Sequence, residues 1–229
     1  MNTIPILYED DEIYIINKPQ NLAVQGGQGV AHSLDVEFSK QVGNKVYLVH
    51  RLDKDTGGLM MVAKTSAAAS KWTKLISSKA VKKEYLALCA GSLSKKEGII
   101  NDTVVQHGES KTAITHYKVE KEWSEELHED KEDVNSPIID TVKLSLIRLK
   151  LETGRMHQIR VHLAKNNCPI AGDDQHGVFR VNKTLKKYLK IKRLQLCSVK
   201  LTVPNLVEKG KDSVFTLSEN DIRDVLFLK

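Results

Sequence analysis

Asp53 stands in VHRLDKDTGGLMMVAK (Val49–Lys64), after His-Arg-Leu and before Lys-Asp-Thr and two glycines, with an apolar run on either side. Aspartate and glycine are turn residues, so an ordinary turn accounts for the segment without any chemistry. A carboxylate in a glycine-softened turn also suits a metal ligand, a phosphoryl acceptor or another covalent nucleophile. The calcium reading fails on spacing. Its third ligand position falls on Gly57, and its twelfth, which needs a bidentate glutamate, falls on Lys64. His157 and His162 lie five residues apart, without the HExxH spacing of a zinc helix. QGGQGV lacks the GK[ST] ending of a phosphate-binding loop.

The elements that must position Asp53 read as an α+β chain. IPILYEDDEIYIINKP predicts a hairpin about Glu9-Asp10-Asp11, stopped by Pro19. Val46–Val49 and Leu59–Ala63 predict short strands flanking the Asp53 turn. SAAASKWTKLISS (Ser66–Ser78) predicts a helix with Ser66 as N-cap. KEYLALCAG and KTAITHYKVEKEW predict further strands. In TVKLSLIRLKLETG the apolar phase switches from Val142, Leu144 and Leu146 to Ile147, Leu149 and Leu151, which predicts a bulge near Leu146–Ile147. Gly154 ends that strand, RMHQIRVHLAKN predicts a helix, LQLCSVKLTVP a late strand, and Ser218 caps a short last helix. Strands outnumber helices without βα alternation, which argues against a doubly wound fold. With no repeat and no linker, one domain over 1–229 is expected, with an acidic hairpin tip or insertion around 120–137.

No apolar run approaches the ~20 residues of a membrane span. The N-terminus MNTIPILYEDDE is acidic where a signal peptide is basic. Cys89, Cys168 and Cys197 are odd in number and form no CxxC pair, which points to reduced thiols in the cytoplasm. The net charge is +6, yet EKEWSEELHEDKED (120–133) carries −6, leaving +12 on the rest. A cationic body of that size suits a polyanion, since each neutralised phosphate releases counterions. A solvated lysine-rich surface accounts for the charge as well.

Two families share features with the Asp53 segment. Asp53-Lys54-Asp55-Thr56 with Gly172-Asp173-Asp174 resembles the two acidic motifs of magnesium-dependent haloacid-dehalogenase-type phosphatases. The threonine stands one place early, however, and His50-Arg51 interrupts the strand that would deliver the nucleophile. The second resemblance is longer. VHRLDKDTGGLMMVAK is similar to the RluA-family pseudouridine synthase signature His-Arg-Leu-Asp-x-x-Thr-Ser-Gly-Leu. Asn17-Lys18-Pro19-Gln20-Asn21-Leu22 resembles that family's early Asn-Lys-Pro loop, and Lys83-Glu84-Tyr85-Leu86 its lysine-x-tyrosine strand. LETGRMHQIRVHLAKNNCPIAGDDQHG (Leu151–Gly177) resembles its Thr-Gly-Arg-x-His-Gln-Ile-Arg-x-His stretch and the Pro-Ile-x-Gly-Asp that follows. The likeness runs over roughly residues 6–204. Gly57 replaces the usual serine, His176 a tyrosine, Gln25 part of a His-Pro, and Cys197-Ser198 a late His-Ala.

The resemblance implies a pseudouridine synthase fold: α+β, a mixed and mostly antiparallel sheet with flanking helices and a central active-site cleft. It implies the catalytic domain alone, without the separate N-terminal RNA-binding domain of many relatives. It assigns Asp53 as catalytic carboxylate, Arg160 as the cation that keeps it ionised, and Tyr85 as the aromatic against the uracil. Arg51 would stack where the flipped uridine leaves, and Arg155 would hold a phosphate. Asp173 would support the site loop, and His50 would be structural. The partner is RNA, ribosomal or transfer, and the protein acts as a monomer. The isomerisation needs no cofactor and no metal. Read without the resemblance, Tyr85 is also a core residue and Arg160 a helix-surface cation. The phosphatase and an RNA-binding protein without catalysis remain the alternatives.

Overall fold

The computed structural model describes residues 3–27, 31–106, 108–128, 138–204 and 211–228. In chain order these form β1 (Ile6–Glu9), β2 (Ile13–Lys18), α1 (Leu34–Val42), β3 (Tyr47–Leu48), β4 (Gly57–Ala63), α2 (Ser66–Ser77), β5 (Lys82–Ala90) and β6 (Glu97–Gln106). There follow β7 (Glu109–His128), β8 (Ile138–Leu151), α3 (Gln158–Lys165), α4 (Phe179–Tyr188), β9 (Leu196–Pro204), β10 (Asp212–Thr216) and α5 (Glu219–Val225). Where the sequence predicts one domain, backbone packing groups the chain into two compact units. They are Met1–Tyr85 with Cys197–Val225, and Leu86–Leu196 with Leu226–Lys229.

In the first unit the predicted hairpin forms. Asp10 Oδ1 accepts from the Glu12 and Ile13 amides at 2.8 and 2.7 Å and closes the turn between β1 and β2. β2 then pairs antiparallel with β4 from Ile13↔Ala63 to Lys18↔Gly58. β4 is buried at every position, as its unbroken run Gly-Gly-Leu-Met-Met-Val-Ala requires of a strand covered on both faces. β3 pairs with β4 antiparallel, β9 pairs with it in parallel at Gly57↔Cys197 and Gly58↔Ser198, and β10 pairs antiparallel with β9. α2 begins as predicted, but its cap is Thr65, whose Oγ1 accepts from the Ala68 amide at 3.1 Å. Ser218 does cap α5, accepting from the Asp221 amide.

The second unit is built on β6, β7 and β8 in antiparallel order. The predicted bulge lies where the apolar phase switches. Val119 faces Ile147 and Lys121 faces Leu146, so Glu120 is the extra residue, on the opposing strand. The acidic stretch therefore begins inside β7, whose Leu127 is buried, and not at a tip; residues 129–137 lie outside the described ones. Leu88, Leu144, Ala171, Leu185 and Ile191 form a buried cluster with Trp123, Val181 and Leu189 against it. α3 starts at Gln158 and not at Arg155, because His157 takes φ 53° and ends the continuity of the helix there. No helix among the described residues is long and apolar enough to cross a membrane.

Gly58 fixes the approach of β9 to β4. Its φ is +106°, and a Cβ there would collide with the Ser198 carbonyl oxygen. Gly58→Ala is expected to cost at least about 2 kcal/mol by straining the backbone and parting these strands. Urea denaturation checks it, and a midpoint equal to wild type would mean that the contact yields freely.

Candidate active site

Asp53 occupies the turn that feeds β4, closed by the Thr56 amide donating to the Asp53 carbonyl at 3.1 Å. Its side chain is half-buried, and Arg51 two residues earlier is exposed. Three neighbours hold this turn in the first unit. His50 Nε2 accepts from the Met61 amide of β4 at 3.0 Å, which pins the entry. Gln20 Nε2 donates to the Asp55 carbonyl at 3.0 Å. Lys18, fully buried at the end of β2, donates to the carbonyls of Pro19, Leu22 and Lys54 at 2.8, 2.9 and 3.1 Å.

An ammonium has three N–H donors, and here three carbonyls meet them. Burial draws the Lys18 ammonium down to about 7, against the opposing pull of the Asp55 and Asp53 carboxylates. Burial, aided by the Lys83 charge, likewise holds His50 well below the ordinary histidine range, so its ring is neutral. With Nε2 accepting, the proton is on Nδ1, as expected of a structural histidine.

Tyr85, the predicted aromatic, is buried in the same unit. Burial raises its phenol well above the ordinary value and the Asp53 charge adds to the rise, while the Ser198 hydroxyl acts in the opposite sense. Ser198 Oγ lies beside the phenol without meeting hydrogen-bond geometry. It and Thr56 Oγ1 are buried hydroxyls with no partner among the described residues. The first unit thus brings Asp53 and Tyr85 within electrostatic reach of each other, with Arg51 on the same segment.

Arg155 and Arg160 belong to the second unit. Gln158 is buried there: Nε2 donates to the Ile114 carbonyl and Thr115 Oγ1, and Oε1 accepts from Thr153 Oγ1 and the Arg155 amide. That network sets the loop on β7 and leaves Arg155 exposed, its Nε reaching the Thr112 carbonyl at 3.5 Å. Arg160 is buried, and it grips Asp173 with Nε to Oδ2 at 2.8 Å and Nη2 to Oδ1 at 2.7 Å. Burial would raise the Asp173 carboxyl, but Arg160 and the His176 and Gln175 amides outweigh it and hold it below the usual range. The loop-supporting role read for Asp173 is what this geometry describes. The phosphatase alternative needed Asp173 for magnesium, and instead both its oxygens serve the guanidinium. His176 faces His157, Nε2 to Nδ1 at 3.0 Å.

Lys18, Ser198 and Gln158 carry no role in the sequence reading. Lys18 and Gln158 left a signal, as the lysine of Asn-Lys-Pro and the glutamine of His-Gln-Ile-Arg.

A family model described as "RNA pseudouridylate synthase" matches residues 12–165. Among curated proteins, "Ribosomal large subunit pseudouridine synthase C" of Rickettsia typhi is 34% identical over 199 residues, 81% of this chain and 59% of that protein. "Ribosomal large subunit pseudouridine synthase D" of Haemophilus influenzae is 34% identical over 188 residues, 75% of this chain and 52% of that one. The chain spans a little over half the length of these relatives. Among solved structures, "Human RNA Pseudouridylate Synthase Domain Containing 4" has a TM-score of 0.68 at 25% identity, over 98% of this chain and 94% of that chain. "Human RNA Pseudouridylate Synthase Domain Containing 1" has 0.71 at 21%, over 95% and 84%, a likeness of fold.

Two measurements test the two anchors. An unfolded lysine titrates near ~10.4. From about 7 upward the unfolded chain therefore keeps a proton that folded Lys18 has released, and this residue's contribution to stability rises with pH. The unfolding free energy of wild type minus that of Lys18→Met should grow between those values in urea titrations at stepped pH. A pH-independent difference would contradict the depressed lysine. Asp173→Asn leaves a buried guanidinium facing an amide and should destabilise by about 3 kcal/mol or more. Loss of under about 1 kcal/mol would show that Arg160 is satisfied without it.

Proposed function

This chain belongs to the RNA pseudouridylate synthase family, and we propose that it isomerises uridine to pseudouridine in structured RNA through Asp53. The observation that carries the reading is the Asp53 turn, fixed by Lys18 and His50 and electrostatically linked to Tyr85. The reaction breaks the bond between C1′ and N1, turns the uracil, and joins C1′ to C5. N1 gains a proton and C5 loses one, so atoms and electrons balance without a redox partner.

In this reading Asp53 works at the junction of sugar and base, and Arg160, the cation that the family resemblance assigns to the reaction, is held in its own unit by Asp173. Tyr85 is the wall against the uracil. A phenol raised by burial and by a neighbouring carboxylate stays protonated near neutrality, which favours packing and donation over direct proton abstraction. Arg51, exposed, fills the stack vacated by the flipped nucleotide, and Arg155, also exposed, takes a phosphate. Relatives named for the large ribosomal subunit favour ribosomal RNA as substrate, with transfer RNA second. We further propose a cytoplasmic monomer that requires no metal; its three buried free thiols suit a reducing compartment.

Unmodified total RNA from cells lacking the protein, tritiated at uracil C5, is the test substrate, incubated in EDTA. Wild type should release tritium and Asp53→Asn should not. Absence of release from both, with RNA binding intact, would replace the enzyme by an RNA-binding protein without catalysis.

A further inference from the structure

Phe179 opens α4 with its ring 83% exposed, the most exposed large apolar side chain among the described residues. Val178 and Met156 are half exposed nearby in sequence on the segments that the His157–His176 contact joins. An isolated exposed apolar residue needs no explanation; here three lie on two segments that one side-chain contact joins.

The rest of α4 says what these residues face. At 100° per residue, Val181, Leu185 and Leu189 point inward to the core cluster. Phe179, Lys183 and Lys186, spaced four and then three apart, share the outward face. Residues 175–195 hold seven cations and no Asp or Glu. Some surface lysines elsewhere are matched, among them Lys40 with Glu37, Lys64 with Glu9, Lys71 with Glu12 and Lys165 with Asp102. Lys183 and Lys186 have no carboxylate at ion-pair distance among the described residues. Protein–protein interfaces are depleted in lysine, whereas a groove for single-stranded nucleic acid combines unpaired cations with an aromatic platform.

The face is also rigidly placed. Asn182 accepts from the Gly172 amide at 3.0 Å and donates to the Asp173 carbonyl at 2.8 Å, and the Gly177 amide donates to that same carbonyl at 3.0 Å. α4 is thereby bolted to the residue that grips Arg160. Position on a rigid helix is what a stacking platform needs, because a mobile ring loses entropy when a base orders it.

We infer that the outward face of α4 binds an unpaired stretch of the substrate RNA, with one base stacked on Phe179 and neighbouring phosphates on Lys183 and Lys186. The inference rests on the proposed function and adds to it a surface that reads accessible bases by stacking, not by sequence.

A fluorescein-labelled 12-nucleotide oligouridylate is the probe, with binding followed by anisotropy over a salt series. Phe179→Ala should weaken binding about tenfold, leave the salt slope unchanged, and be rescued by Phe179→Trp. The pair Lys183→Gln, Lys186→Gln should lower the slope by about 1.4. Binding unchanged by Phe179→Ala, with thermal melts matching wild type, would overturn the inference and leave the exposed apolar residues to a protein partner. Tritium release by wild type is read on the same preparations. Release with Phe179-independent binding removes the surface and keeps the synthase. No release with Phe179-dependent binding removes the synthase and keeps the surface.

Discussion

Lys18 turns its ammonium to three backbone carbonyls from a position without solvent, and the Asp53 turn takes its place from that choice. Water would otherwise solvate the charge, and a buried cation without partners is costly by several kcal/mol. The chain supplies the partners locally. Pro19 forces Lys18 into extended backbone, so β2 ends with the lysine still in strand geometry. Asn21, at φ 63°, brings the loop back so that the Leu22 carbonyl faces the same nitrogen. The third carbonyl belongs to Lys54, the neighbour of Asp53. An arginine in this place would present a flat fork in one plane, whereas three carbonyls around a point need the compact ammonium. A loop early in the sequence thus sets the position of a carboxylate some thirty-five residues later.

The second unit applies a related device with the charges arranged differently. Arg160 and Asp173 meet two bonds to two bonds in a buried site, a geometry that fixes orientation as well as distance. Glycines make the approach: Gly172 has φ +73°, and a Cβ there would run into the Arg193 carbonyl. The Asp173 carbonyl then accepts from Asn182 and Gly177, so the start of α4 is tied to the same residue. Moving Asp173 would disturb Arg160 on one side and α4 on the other.

How much of this was legible follows from what each pattern encodes. β4 is legible because burial on both faces leaves an unbroken apolar run, and the β7–β8 bulge because the apolar phase of β8 switches. β6 is not, since its buried Ile100 and Val104 are four apart, a spacing that a helix shares. Thr65 and Ser66 are both capping residues, and the choice between them is one of backbone angle, which composition does not carry. Nothing in Gly-Arg-Met-His forbids a helix; the left-handed His157 is imposed by the packing around Gln158. Asp53, Tyr85, Arg51, Arg155 and Arg160 were found through a resemblance between motifs. Lys18 carries no burial signal of its own, because lysine is among the residues least expected inside.

The orphan hydroxyls bear on the chemistry. A buried hydroxyl without a partner costs about 1–3 kcal/mol; one such hydroxyl among the described residues lies beside Tyr85 and another three residues after Asp53. Removing Ser198 Oγ or Thr56 Oγ1 would relieve that cost, whereas a uracil ring arriving at Tyr85 brings two carbonyls and an N–H that are lost to water on entry. Under the proposed function, groups unsatisfied before binding and groups unsatisfied by binding would meet. The cost carried by the protein alone would then become a preference for a polar ring over an apolar one of equal size. The ring face of Tyr85, which packs without polar contacts, could not make that distinction by itself.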